Sequence, residues 1–410
     1  MNDIYLDNAT TTQMDPWVLE EMKPLLVEEY AAPSGHFGHQ ASLESKDRLE
    51  RARAAIAESI NAEPGEIILT SGGTESNNLA LQGYLKNHKK PARVVTSAVE
   101  HESVLNTLRN LVKDGVELVI AGVDKDGRVK LDELDKALVP GTALCSVQHV
   151  NHEVGVIQPL EEIGKLCKER GVILHSDAVQ GWGKVPLNVK DMNLSLVSLS
   201  GHKIHGPKGI GALYRRKGIK LSPVLFGGYN EFELRPGIEN VAGAAGMAKA
   251  ISMIKPEQVA YIDSLRRRLW QGIEEEIPWV HLNGSLEQGA PHILNVTFDF
   301  IEGESILLHL DMRGIAVATG SACFSKALEA SYILLAMGRP HEQAHGSMRF
   351  SFSRFNTQDE ITKTLKELKE VVSDLRKLSP LTPVTPPVTP SVTPETPETL
   401  ETPGAPDKEA

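Results

Sequence analysis

The amino-acid sequence predicts an α/β protein: a large domain on a mostly parallel seven-stranded sheet, then a smaller α+β domain. Three observations predict it. Between residues 67 and 215, short β-rich runs alternate with amphipathic helical stretches, the pattern that lays helices on both faces of a parallel sheet. After about residue 255 the texture changes to long helices and separated strands. After Ser379 the composition turns abruptly to threonine and proline.

Taken in order, the candidate strands are IILT (67–70), RVVTS (93–97), VELVIA (116–121), ALCSVQH (143–149), VILHS (172–176), LSLVSLS (194–200) and IGALYR (210–215). Each is short and rich in apolar or β-branched residues, as a strand buried on both faces requires. The intervening stretches ESVLNTLRNLVKDG and LEEIGKLCKERG carry apolar residues at helical spacing, and Gly171 closes the second as a C-cap. Further on, EQVAYIDSLRRRLWQGIEEE predicts a long helix ahead of strands HILNVTFDF and SMRFSFS. The last helix opens on the capping box Thr357–Glu360 and carries Ile361, Leu365, Leu368, Val372 and Leu375 at helical spacing. There is no internal repeat.

Residues 380–410 hold 9 of the 24 prolines in a Thr-Pro-Val/Glu pattern. Such a segment forms neither helix nor central strand, and its few apolar side chains do not offset ordering entropy. It reads as a disordered, partly polyproline-II acidic tail, about 90 Å long if extended at about 3.1 Å per residue.

A chain of 410 residues is too long for one hydrophobic core. Its 41% apolar and 24% charged content is that of a globular protein. No run of about 18 apolar residues occurs, so no membrane-spanning helix is expected. The N-terminus MNDIYLDNAT lacks the basic and apolar regions of a secretory signal. A net charge of -11 argues against nucleic-acid and anionic-membrane partners, which need a basic surface. Three cysteines are too few for a disulfide scaffold and match no zinc spacing, so a reducing cytoplasm is the expected setting. Cys145 and Cys167 sit in apolar or helical runs and read as buried small hydrophobes. Cys323, in ATGSACFSKA, is flanked by small and polar residues and has no such packing role.

In a doubly wound sheet, ligands sit at the carboxyl ends of the strands. There, IILT runs into SGGTES, where glycines and a helix start suit a phosphate. VILHS ends in Asp177, with Gln180 three residues on, and LSLVSLS ends in SGHKIHGPKG, presenting Ser200, His202 and Lys203. A lysine directly after a buried strand is poor core material. A Schiff-base lysine, an aspartate facing a pyridinium nitrogen and a helix start holding a phosphate are the parts of a pyridoxal phosphate site. His149 and His152, or His202 and His205, are spaced three apart but lie around strand ends rather than along a helix face, so no metal is expected.

These blocks join YLDNATTT (5–12), TSGGTESNN (70–78), AVEHESV (98–104), NHEVGVIQP (151–159), HSDAVQGWGK (175–184), SLSGHKIHGPKGIGALY (198–214), GSACFS (320–325) and SMRFSFSRFNT (347–357). Together they resemble the cysteine desulfurases of the NifS/IscS group, in the class-V aminotransferase family, over residues 3–379. The resemblance implies the fold-type I architecture of pyridoxal 5′-phosphate enzymes. It implies a large domain over 15–254, a small domain from both chain ends (1–14 and 255–379), and a homodimer with active sites at the subunit interface. The implied reaction converts L-cysteine to L-alanine and leaves a persulfide on the enzyme, for iron–sulfur cluster assembly or other sulfur transfer to an acceptor or scaffold protein.

Carried over residue by residue, the resemblance makes Lys203 the Schiff-base lysine and Cys323 the sulfur nucleophile. His101 stacks over the cofactor ring, Asp177 pairs with its nitrogen and Gln180 with its phenolic oxygen. Gly73, Thr74, Ser200 and His202 hold the phosphate, and Arg349 binds the substrate carboxylate. His152 stands where the family has an asparagine beside the cofactor oxygen and the substrate carboxylate. Its ring is larger and takes a charge near neutral pH, so it bears on substrate orientation or pH optimum. Ile238, in RPGIEN, stands where the family has a threonine, so a phosphate contact expected from the neighbouring subunit is missing. APSGHFGHQ (32–40) is shorter than the family's Asn-Pro-Ser-Ser loop. Two other readings stay open on the sequence: a related lyase or aminotransferase, such as one acting on selenocysteine, and a non-catalytic paralogue whose tail docks a partner.

Overall fold

The computed structural model describes residues 4–33, 38–88, 91–320 and 330–383. A short strand β1 (Ile4–Tyr5) precedes the seven strands of the large sheet: β2 (Ile67–Thr70), β3 (Ala92–Ser97), β4 (Val116–Ala121), β5 (Thr142–Ser146), β6 (Ile173–Asp177), β7 (Leu196–Ser200) and β8 (Gly211–Arg215). Their order is β2-β8-β7-β6-β5-β3-β4. All neighbours are parallel except β8, which runs antiparallel to both β7 and β2.

Adjacent residues of one strand feed opposite faces. Val95, Cys145 and Val197 join one buried cluster, and their chain neighbours Val94, Leu144 and Leu196 join another. That double burial is why these strands read as continuous apolar runs. The edge strand β4 departs from it, with Glu117 and Ile120 exposed. Two expected ends move. Strand β5 stops at Ser146, although Val147 N and His149 N still donate to His175 O and Asp177 O of β6. Strand β6 runs to Asp177, so that carboxylate is seated on the sheet rather than on a loop.

The smaller sheet contains β9 (Val280–Asn283), β10 (Ile293–Phe298), β12 (Ala318–Thr319) and β13 (Ser347–Ser351) in the order β12-β13-β10-β9, all antiparallel. Strand β1 pairs in parallel with β11 (Ile315–Ala316). Helices Pro256–Glu276 and Gln358–Leu378 cover this part, the second capped by Thr357 and Glu360 as its sequence predicts. Ile4 and Leu6 pack with Leu269, Val296, Phe350 and Leu368, so the start of the chain is buried with its second half. Asp7 then bridges to Ser351 and directs residues 8–12 over the ends of the large sheet. Among the described residues, no helix is long and apolar enough to cross a membrane.

Candidate active site

Strands β4 and β5 lie on opposite sides of β3, so a crevice forms at the carboxyl ends where the winding reverses. A cavity of about 280 Å³ opens there. Gly73 and Thr74 reach it from the end of β2, His101 from the end of β3, and His152 from the loop after β5. Asp177 and Gln180 reach it from the end of β6, Ser200, His202 and Lys203 from the end of β7, and Arg349 from β13. Cys323 lies outside the described residues.

At one end of the cavity the polar groups are already paired. Asp177 accepts from Asn77 Nδ2 at 2.7 Å and from the Val179 backbone N–H at 3.0 Å. Asn77 Nδ2 also donates to Ser103 Oγ at 2.8 Å, and Ser103 Oγ lies 2.8 Å from His101 Nδ1. His101 is the N-cap of helix Glu102–Val112, its Nδ1 accepting the Ser103 backbone N–H at 3.1 Å.

At the other end, donors lack partners. Ser200 Oγ is buried with no hydrogen bond. No side chain caps helix Gly73–Leu85, and its first residue packs so tightly that a Cβ there would meet Val179 Cγ2 at 2.5 Å. His202 Nδ1 pairs with Thr11 Oγ1 at 3.1 Å. Burial, then the Lys203, Lys184 and Lys208 charges, push this imidazole down to about 4.

Lys203 lines the same cavity. Its Nζ donates to Thr10 O at 2.8 Å and to Ala9 O. Gln180 Nε2 also donates to Ala9 O, at 2.8 Å, while its Oε1 lies 3.2 Å from His292 Nε2. Behind them, burial and the Lys203 charge push the Lys184 amine down to about 7.

Arg349 is more committed than its sequence context implies. Nη1 donates to His152 O at 2.8 Å, and Nη2 donates to Asp7 Oδ1 at 2.9 Å and Thr10 Oγ1 at 2.7 Å. Nε is buried without a partner. The His152 ring stands edge-on to His101, centroids 5.0 Å apart. Burial, His101, Arg349 and Lys203 hold His152 well below the ordinary histidine value. It is therefore neutral near pH 7, correcting the expectation of a ring that charges there.

Asn77, Ser103, Asp7 and Thr10 have no role that the sequence alone suggests, although all four stand inside the family-like blocks and two of them, Asn77 and Ser103, share a block with expected site residues. Only the hydrogen bonds reveal their part, since Asn77 and Ser103 are 26 residues apart and Asp7 and Arg349 are 342 apart.

Pyridoxal phosphate presents an anion at one end and a ring nitrogen at the other. The unpaired Ser200 hydroxyl and uncapped helix start fit the anion, and the hydrogen-bonded Asp177 carboxylate fits the nitrogen. The aminotransferase class-V family matches residues 4–364, and the chain belongs to it. It is thus a pyridoxal phosphate-dependent enzyme of fold type I. A cysteine desulfurase IscS of Dictyoglomus turgidum is 44% identical over 369 residues, 88% of this chain and 93% of that protein. Among solved structures, a NifS-like protein aligns with a TM-score of 0.84 at 35% identity, covering 92% of this chain and 100% of that one. SspA in complex with cysteine aligns at 0.77 and 32% identity, over 86% of this chain and 100% of that one. Within its family, the chain is a cysteine desulfurase of the NifS/IscS group.

Proposed function

We propose that this enzyme moves sulfur from L-cysteine to the Cys323 thiol, releasing L-alanine. The observation that carries the reading is the convergence of Lys203, Asp177, His101 and Arg349 on one cavity at the strand ends. Bound pyridoxal phosphate supplies an electron sink for the substrate Cα. Asp177, as a carboxylate held by Asn77 and Val179, keeps a proton on the ring nitrogen. His101 would cover the ring face. Ser200, His202 and the backbone at Gly73 and Thr74 would hold the phosphate, and Gln180 would donate to the phenolic oxygen.

Arg349 Nε and His152 orient the substrate carboxylate. Lys203 Nζ takes and returns the proton at Cα from a fixed position, which is what makes an amine effective there. The Cys323 thiolate attacks the substrate sulfur, the Cβ–S bond breaks, and the carbon fragment is protonated to alanine. Overall, cysteine and one enzyme thiol become alanine and one enzyme persulfide. The sulfur is then available to an acceptor or scaffold protein, for iron–sulfur cluster assembly or other sulfur transfer.

The same proposal divides the chain into domains at 15–254 and at 1–14 with 255–379, places it in the cytoplasm, and makes it a homodimer. A dimer is supported by Phe226, Tyr229 and Ile238, which are 83%, 85% and 73% exposed within one short segment. An apolar surface of that kind is what a second subunit covers.

The test is incubation of the reconstituted protein with L-cysteine. Alanine and sulfide are expected with a reductant present, and one added sulfur on Cys323 by mass spectrometry without it. Bound cofactor with neither product would overturn the reading.

A further inference from the structure

We infer that Asn77 and Ser103 are positioning residues that carry the charge on Asp177 to His101 as a second donor onto Nδ1, reinforcing the Ser103 backbone N–H in keeping the ring proton on Nε2. Asp177 as a carboxylate only accepts, so the Asn77 amide must turn its Nδ2 toward it, at 2.7 Å. The second Nδ2 proton goes to Ser103 Oγ at 2.8 Å. Asn77 Oδ1 is left buried without a partner, so this orientation costs a hydrogen bond that the charged acceptor offsets.

With Oγ accepting from Asn77, the single Ser103 hydroxyl proton points to His101 Nδ1, 2.8 Å away. Nδ1 also accepts the Ser103 backbone N–H. Two donors converge on Nδ1, so the imidazole proton resides on Nε2 and the ring cannot turn over without breaking both bonds. The groups proposed to meet the ring nitrogen and the ring face are thereby one hydrogen-bonded unit, although they arise from β6 and from the loop after β3. This rests on the proposed roles of Asp177 and His101, but not on the identity of the substrate.

The test is ¹⁵N NMR of the holoenzyme with labelled histidine, comparing wild type, Asn77→Asp, Ser103→Ala and the double variant. In the wild type, His101 is expected as the Nε2–H tautomer. The near-isosteric Asn77→Asp replaces a donor by an acceptor, takes the Ser103 hydroxyl proton and shifts His101 toward protonation at Nδ1. In the Ser103→Ala background that shift is expected to vanish, because the link is cut. A shift of equal size in both backgrounds, no shift, or a wild-type His101 protonated at Nδ1 overturns the inference. Ser103→Ala should also lower kcat for alanine release by about tenfold at unchanged KM, the scale of one lost hydrogen bond, with Ser103→Thr restoring it. Should Asn77→Asp not fold, equal kcat in wild type, Ser103→Ala and Ser103→Thr overturns it instead. Loss of cysteine turnover in the wild type would sink the functional reading and leave the tautomer result standing.

Discussion

The two ends of the active-site cavity follow opposite rules. Around Asp177 the hydrogen bonds are closed within the protein: the carboxylate, Asn77, Ser103 and His101 hold one another. Around Ser200 they are open, with a buried hydroxyl lacking a partner and a helix start lacking a side-chain cap. The difference reflects what each end is proposed to hold. A proton must be kept on one chosen atom, so the groups that place it are organised in advance. An anion brings its own acceptors, so donors there stay unpaired at a cost of roughly 1–3 kcal/mol each until it arrives.

The contrast is broken most severely at the closed end. Asp177→Asn keeps the shape but removes the charge proposed to keep the ring nitrogen protonated. Alanine formation is expected to fall by about 10–10³-fold, following the one to three pKa units a facing carboxylate commands. A cysteine turnover assay with cofactor still bound checks this, and near-normal turnover would contradict it. At the open end, Ser200→Ala should weaken cofactor affinity by about tenfold while the turnover of saturated enzyme stays within about threefold. Titrating the visible cofactor band decides this. An Ser200→Ala enzyme slow even when saturated would show that the two ends are not separable.

The smallest effect sharpens how far the closed end reaches into the sheet. His175 lies two residues before Asp177 on β6, between Ser146 Oγ at 2.8 Å and Ser198 Oγ at 3.2 Å. Burial pushes both His175 and His149 down to about 4. A depressed histidine stabilises the fold fully above its unfolded value of about 6.5 and loses that contribution as pH falls through 4. Glu100 has the opposite sense. Burial raises it to about 8, so its contribution is complete below its unfolded value and lost as pH climbs through 8. Urea midpoints should therefore decline on both sides of a maximum. His175→Gln should flatten only the acid side, and an unchanged acid slope would refute the assignment.

Much of the architecture was legible in the sequence because burial on both faces of a sheet forces apolar runs. The capping box at Thr357 and the C-cap at Gly171 were legible because local backbone chemistry selects those residues. The strand-end residues Asp177, Ser200 and Lys203 stood out as polar groups directly following buried strands. Short strands were harder: β1, β11 and β12 have two residues each, too few to show a period. Asp7 shows why partners escape such a reading. Nothing near residue 7 indicates that Arg349 will meet it, and that ion pair commits much of a guanidinium the sequence left open.

By itself, then, the order of residues determined the class of fold, the type of chemistry and which side chains stand at the strand ends, since each follows from local periodicity and residue type. Only the tertiary structure decided that His152 is neutral, that Arg349 shares its fork with Asp7, and that Asn77 ties Asp177 to His101. Those properties depend on burial and on donor–acceptor pairs closed across long stretches of chain. Both are fixed by packing, which no local pattern encodes.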